Sequence, residues 1–297
     1  MIKNKGFPLS VYKILYESCV CSITDYGAEI FGFLQYGSLE KIHSRAIRAF
    51  LGVPKTTSVA GLRSEINWLE PQSRTQLKLI RMYHRLLTMK DNLLTKKIFL
   101  WDLKISEGSN FNTWSDEVKT ILDSNNAMEL FTSNIFDVKS TINSMRDSLL
   151  AKDQQNLKEQ CQSKSKLRTF NCISSFSADK EYLQKPLTFV QRKFMAKLRL
   201  GVLQLRIETG RYERPRKAAV DRICKQCDQN VTESETHFLL HCPKHSLIRA
   251  NFLSKIYAED FETLSDVEKI KFILNDPSIV KQSAQYIIAA FDNRVME

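Results

Sequence analysis

Apolar residues along this chain recur at spacings of three and four over long stretches, the period that lines one face of an α-helix. Read with its capping residues and breakers, the pattern predicts helices over residues 9–21, 38–51, 58–66, 71–89, 115–123, 137–161, 188–200, 243–257, 265–274 and 278–291. In the 71–89 segment Pro71 suits a first helical position, where its missing N–H costs nothing. Leu77, Ile80, Tyr83, Leu86 and Leu87 then repeat as a stripe that reads as core. The run 154–166 is polar and closes in Ser163-Lys164-Ser165-Lys166, the composition of a linker. The fold class that follows is mostly α. It divides into a helical region over 1–135, a long helix and linker over 136–166, a basic cysteine-bearing segment over 167–257, and closing helices over 258–297.

Size and composition narrow the class. A chain of 297 residues that is 43% apolar exceeds the usual single domain and can fill two or three cores. No apolar run approaches the roughly 18 to 20 residues that cross a bilayer, so no membrane partner is expected. The 7 cysteines are odd in number, and no secretory apolar region follows Met1-Ile2-Lys3-Asn4-Lys5. A reducing, intracellular setting, nucleus or cytoplasm, is the expectation.

Charge is concentrated. Between Lys164 and Lys217 fourteen Lys and Arg stand against Asp179, Glu181, Glu208 and Glu213, so nearly all of the net charge of +11 falls in one segment. Such clustering favours a polyanion, RNA or single-stranded DNA, because each neutralised phosphate releases condensed counterions. The competing reading is an ordinary solvated surface.

The stretch CKQCDQNVTESETHFLLHC, residues 224–242, holds three of the cysteines and one of the 5 histidines besides His241. Cys224 and Cys227 form a C-x2-C pair whose short turn lets two thiolates converge on one ion, and His237 and Cys242 complete four ligands. Three thiolates and an imidazole suit structural, tetrahedral Zn2+ with no open position for catalysis. His237 and Cys242 are five residues apart, about 140° around an unbroken helix, which would point them in different directions. Pro243 relieves this by pushing Cys242 out of helical geometry. Phe238, Leu239 and Leu240 supply dry packing. Free buried thiols are the alternative, and His241 or His245 as the fourth ligand is a variant.

Cys19, Cys21, Cys161 and Cys172 lack ligand spacing and read as small core residues. His43 and His84 lie on amphipathic helices as satisfied surface or core groups. The sequence contains no G-x-x-x-x-G-K-[ST], G-x-G-x-x-G or G-x-S-x-G, so nucleotide cradling and serine-hydrolase chemistry have no motif.

Two ordered segments carry a family resemblance. LYESCVCSITDYGAEIFGF, followed by LEKIHSRAIRAFLGVPKTTSVAGLRSEINWLEP, resembles the region after the polymerase palm in reverse transcriptases of LINE-type (non-LTR) retrotransposons. LRIETGRYERPRKAAVDRICKQCDQNVTESETHFLLHCP resembles their C-terminal cysteine-histidine knuckle and its basic lead-in. The resemblance spans most of Leu9 to Tyr257, more weakly in the middle. It implies a helical, thumb-like N-terminal region and a knuckle module with flanking helices. Polymerase chemistry needs clustered carboxylates for two metals, which the family carries in a [FY]-x-D-D turn, and this sequence has no Asp-Asp pair. A non-catalytic remnant is therefore expected.

By that likeness the N-terminal helices would lie beside a nucleic-acid duplex, with Arg45, Arg48, Lys55 and Arg63 as positions to test. On the 188–200 helix, Val190, Phe194, Met195 and Leu198 share one arc while Arg192, Lys193, Lys197 and Arg199 share the opposite one, which is expected to meet solvent or phosphate. Phe189 stands among the basic residues, where it stacks on a base or packs locally. Arg206, Arg211, Arg214, Arg216 and Lys217 continue the strip toward Cys224. Three function classes follow: a zinc-containing nucleic-acid-binding remnant, a zinc-stabilised protein scaffold, and part of an active reverse transcriptase.

Overall fold

The computed structural model describes residues 6–108, 111–131, 137–174, 176, 180–256 and 261–294. Among them the chain is mostly helical, as the periodicity predicts, and a single isolated antiparallel bridge, Ile223 to Thr232, is the one β contact. Caps explain several boundaries. Thr188 and Gln191, Thr113 and Asp116, and Ser265 and Glu268 each form a reciprocal capping box at the start of the helices Phe189–Arg199, Trp114–Ser124 and Asp266–Asn275. Pro71 opens the Pro71–Leu87 helix after an extended Glu70.

The chain folds into two compact units that do not follow chain order. One comprises residues up to Ile14, Ser44–Asn67, and Leu157 onward; the other comprises Leu15–His43 and Trp68–Asn156. In the second unit the expected stripe is core. Leu77, Ile80, Tyr83 and Leu86 are buried with Phe99, Val118, Ile121, Leu122 and Ile142, and Leu87 packs against them. Asp153 of the Val138–Gln162 helix accepts from Glu70 N–H at 3.1 Å and Ser73 Oγ at 3.0 Å, satisfying the start of the Pro71 helix. Arg74 grips Asp25 with two bonds of 2.7 and 2.9 Å.

Three expectations change. The 154–166 run is helical as far as Gln162, because Leu157 and Cys161, one turn apart, are buried. A helix not predicted, Leu94–Gly108, buries only Lys96 and Phe99 while Leu94, Ile98 and Trp101 stay exposed, so its apolar residues form no single inward stripe. The 243–257 segment begins with one 3-10 turn, Pro243–His245, and becomes helical over Ser246–Leu253. Residue 257 and the expected boundaries at 135 and 258 lie outside the described residues. Cys21 and Cys161 are buried as expected, but Cys19 and Cys172 are exposed, since their helices turn those positions outward.

Candidate metal centre and basic surface

Cys224 starts a tight hairpin. Its N–H donates to Val231 O at 2.8 Å, and Glu233 N–H returns to Arg222 O at 3.0 Å. Asn230, with φ of 52°, takes the left-handed position that an asparagine tolerates better than most residues. This folding presents Cys224 and Cys227 on one side of the turn.

The other two candidate ligands come from the next element. Ser234 Oγ accepts from His237 N–H at 3.1 Å, and residues His237–His241 wind as one π turn. Cys242 N–H donates to His237 O at 2.7 Å, a bond between residues five apart. Such a turn inserts one residue into helical geometry, so positions five apart come round to the same side. Cys242 itself is extended (φ −61°, ψ 120°), the conformation that Pro243 imposes. The π turn and the proline together bring His237 and Cys242 to the hairpin cysteines.

The ligand atoms of Cys224, Cys227, His237 and Cys242 all lie within 4.8 Å of one another, and Cys227 Sγ stands 3.4 Å from His237 Nε2. This group can hold a metal ion. Burial, with further contributions from Glu233 and Cys242, pushes the Cys224 thiol up to about 12, and burial also raises Cys242. Burial first, then His241 and Arg249, lowers His237, which favours the neutral ring that binds metals. Buried thiols that resist ionisation alone are the donors a cation converts to thiolates.

The variants for the fourth ligand separate clearly. His241 pairs with Asp266 at 2.7 Å on the surface. His245 is fully buried against Phe238, ring centroids 5.1 Å apart, and neither ring nitrogen has a hydrogen-bond partner among the described residues. Phe238 and Leu239 are buried as expected, whereas Leu240 is half-buried. An outer layer escaped the sequence reading. Arg249 donates to Leu239 O at 2.9 Å and Cys242 O at 2.8 Å, and Tyr286 OH donates to Leu239 O, satisfying carbonyls at the helix end. Ser234, three residues before His237, was the one legible signal of that layer.

The basic strip needs correction. Arg192 and Arg199, placed by periodicity on the outward arc, are buried, and Val190 of the supposed inward arc is exposed. The packed face is rotated about a quarter turn because it admits two guanidinium groups that find bonding partners in the interior. Arg192 donates to Phe50 O at 2.7 Å and Phe7 O at 3.2 Å and lies 4.2 Å over the Phe50 ring. Arg199 pairs with Glu65. Lys193 and Lys197 remain at the surface, half-buried. Phe189 packs locally, its ring against Gly52, whose φ of 67° and lack of a Cβ permit that approach.

Farther along, Arg206 and Lys217 pair with Glu213, Arg211 and Lys166 pair with Glu208, and Arg168 pairs with Glu235. Arg214 and Arg216 are exposed and have no acidic partner among the described residues. Arg222 holds the Lys217 carbonyl at 2.9 Å, fixing this loop to the base of the metal hairpin. Of the N-terminal candidates, Arg45 and Lys55 are exposed, while Arg48 and Arg63 are half-buried.

Fold and site thus define a mostly helical protein bearing a cluster of three cysteines and one histidine that could hold a metal ion. Comparison with protein-family models, curated proteins and solved structures finds no significant match to this chain. No described helix is long and apolar enough to cross a membrane.

Proposed function

We propose that this chain is a non-catalytic nucleic-acid-binding protein, derived from the thumb and C-terminal region of a LINE-type retrotransposon reverse transcriptase and organised around structural zinc. Zinc bonds of about 2.3 Å to sulfur and about 2.0 Å to nitrogen separate tetrahedral ligand atoms by about 3.5 to 3.8 Å. The four donors here, within 4.8 Å of each other, need only a slight contraction. Three thiolates and an imidazole complete the shell, so bound zinc would supply folding energy rather than reactivity.

The observation that carries nucleic-acid binding is the pair of exposed, acid-free cations Arg214 and Arg216, tied by Arg222 to the base of the metal hairpin. They offer phosphate contacts from a braced loop, with little basis for reading sequence. Catalysis is not proposed, because the sequence has no Asp-Asp pair. The test is binding of labelled oligo(U) RNA across a salt series. If about six cations engage, the log-log slope is about −4, and affinity falls about three-hundredfold between 50 and 200 mM salt. No measurable binding at the low end overturns the reading.

The exposed Leu94, Ile98 and Trp101 favour a second reading, a zinc-stabilised protein-interaction scaffold. Competition separates the two: excess RNA displaces a partner from the basic surface and leaves one held by the apolar stripe.

A further inference from the structure

The turn Gly52–Thr57 gathers cations from two distant parts of the chain. Arg48 precedes it, its carbonyl accepting from Gly52 N–H at 2.9 Å, and its Nη2 donates to Thr57 O at 3.4 Å. Lys55 is exposed on the turn. Across from them, a Cβ built on Gly52 would lie 3.0 Å from the Cβ of Lys193, so the Phe189–Arg199 helix rests directly on this turn. Lys197 follows one helical turn after Lys193, about 6 Å along the axis.

We infer that Arg48, Lys55, Lys193 and Lys197 form a second phosphate-binding site, separate from the Arg214–Arg216 loop, that takes the phosphodiester backbone of a single-stranded nucleic acid. This rests on the nucleic-acid reading above and locates its partner.

Three observations support it. None of the four cations has an acidic partner among the described residues, whereas Lys166, Arg168, Arg206, Arg211 and Lys217 all do. Arg48 Nε is buried and lacks a hydrogen-bond partner among the described residues, leaving an unspent donor. Two of the cations also crowd each other: burial and then Lys193 lower Lys197, and a bound anion relieves the like-charge part of that cost. A row of cations spaced along a turn and a helix suits a repeating charge better than a lone anion, which favours a strand over free phosphate.

The test is the full zinc-loaded chain carrying Lys55→Gln, Lys193→Gln and Lys197→Gln, titrated with labelled oligo(U) RNA across a salt series. Three lost phosphate contacts at about 0.7 each lower the log-log slope by about 2, and affinity at 0.1 M salt falls about a hundredfold. Helical circular dichroism and zinc content stay unchanged. Lys193→Arg with Lys197→Arg keeps the slope. If the parent binds and the triple variant matches its slope and affinity, while Arg214→Gln with Arg216→Gln weakens binding, the second site is overturned and the function stands. A parent that does not bind overturns both. A triple variant that loses only polyglutamate binding, and not RNA, assigns the site to acidic protein and overturns the proposal.

Discussion

Arg199 and Glu65, 134 residues apart, meet as a fully buried ion pair, with guanidinium Nε 2.6 Å from carboxylate Oε1. Tyr182 OH donates to the same carboxylate, and Arg199 Nη1 donates to Leu274 O at 2.8 Å, closing the last turn of the Asp266–Asn275 helix. Truncating one partner of such a pair leaves the other charge buried alone, at a cost of about 3 to 5 kcal/mol. Arg199→Met is therefore expected to lower unfolding stability by that amount, while Lys193→Gln changes it by about 0.5 kcal/mol or less. Urea unfolding of both variants checks this, and equal stabilities would contradict the burial of Arg199.

Purified protein expressed with zinc is expected to carry one zinc per chain. Structural zinc in small modules contributes roughly 10 to 16 kcal/mol of apparent binding energy. Cys227→Ser should release the ion and expose amides around 222–242 to hydrogen exchange, leaving the Pro71–Leu87 core protected. Elemental analysis showing well under half an equivalent in the parent rules the site out.

The π turn leads to an unusual length rule. His237 and Cys242 converge across five residues only because the turn holds one extra residue. Deleting half-buried Leu240 restores a spacing of four, which an ordinary α-helix also places on one face, so zinc should be retained. Inserting Ala after Leu240 gives a spacing of six that no helical turn brings together, and zinc should be lost. Metal content that falls equally in both variants would show that the π turn is incidental.

His245 sets a pH dependence. Burial, reinforced by Arg249 and Arg294, lowers its folded pKa to about 4 from an ordinary 6.5. The folded state then binds fewer protons than the unfolded state, so the associated stability is complete above about 6.5 and is lost as pH falls toward 4. At pH 5 the loss is about 2 kcal/mol. His245→Leu, which also removes two unpartnered nitrogens, should flatten that part of the stability profile relative to the parent. Parallel profiles from pH 7 to pH 5 would remove His245 as the cause.

Sequence periodicity located most helices because their apolar stripes are regular and their starts carry Thr, Ser or Pro. The grouping of the four candidate metal ligands was legible for a different reason: C-x2-C spacing is a local geometric requirement. What failed were judgements about which face a charged residue occupies. Arg192 and Arg199 look polar to any hydropathy pattern, yet each spends its donors on carbonyls or a carboxylate supplied by residues far away in sequence. Their burial depends on Phe50, Glu65 and Leu274, which no window around either arginine contains. The Leu94–Gly108 helix was missed for the converse reason, its apolar residues being largely exposed.

The interleaving of the two units fixes an order of completion during synthesis. All residues of the unit containing the Pro71–Leu87 core have been synthesised once Asn156 is made, so that unit is free to fold while later residues are still being added. The other unit waits: Glu65 emerges long before Arg199, and Glu233 of the cysteine hairpin meets Arg294 only after a further 61 residues are made. Until then Glu65 has no cation, and the hydrophobic surface of Ser44–Asn67 stays open to chaperones or to its own copies. Slower elongation between Leu157 and Arg294 should therefore raise aggregation more than the same delay before Asn156.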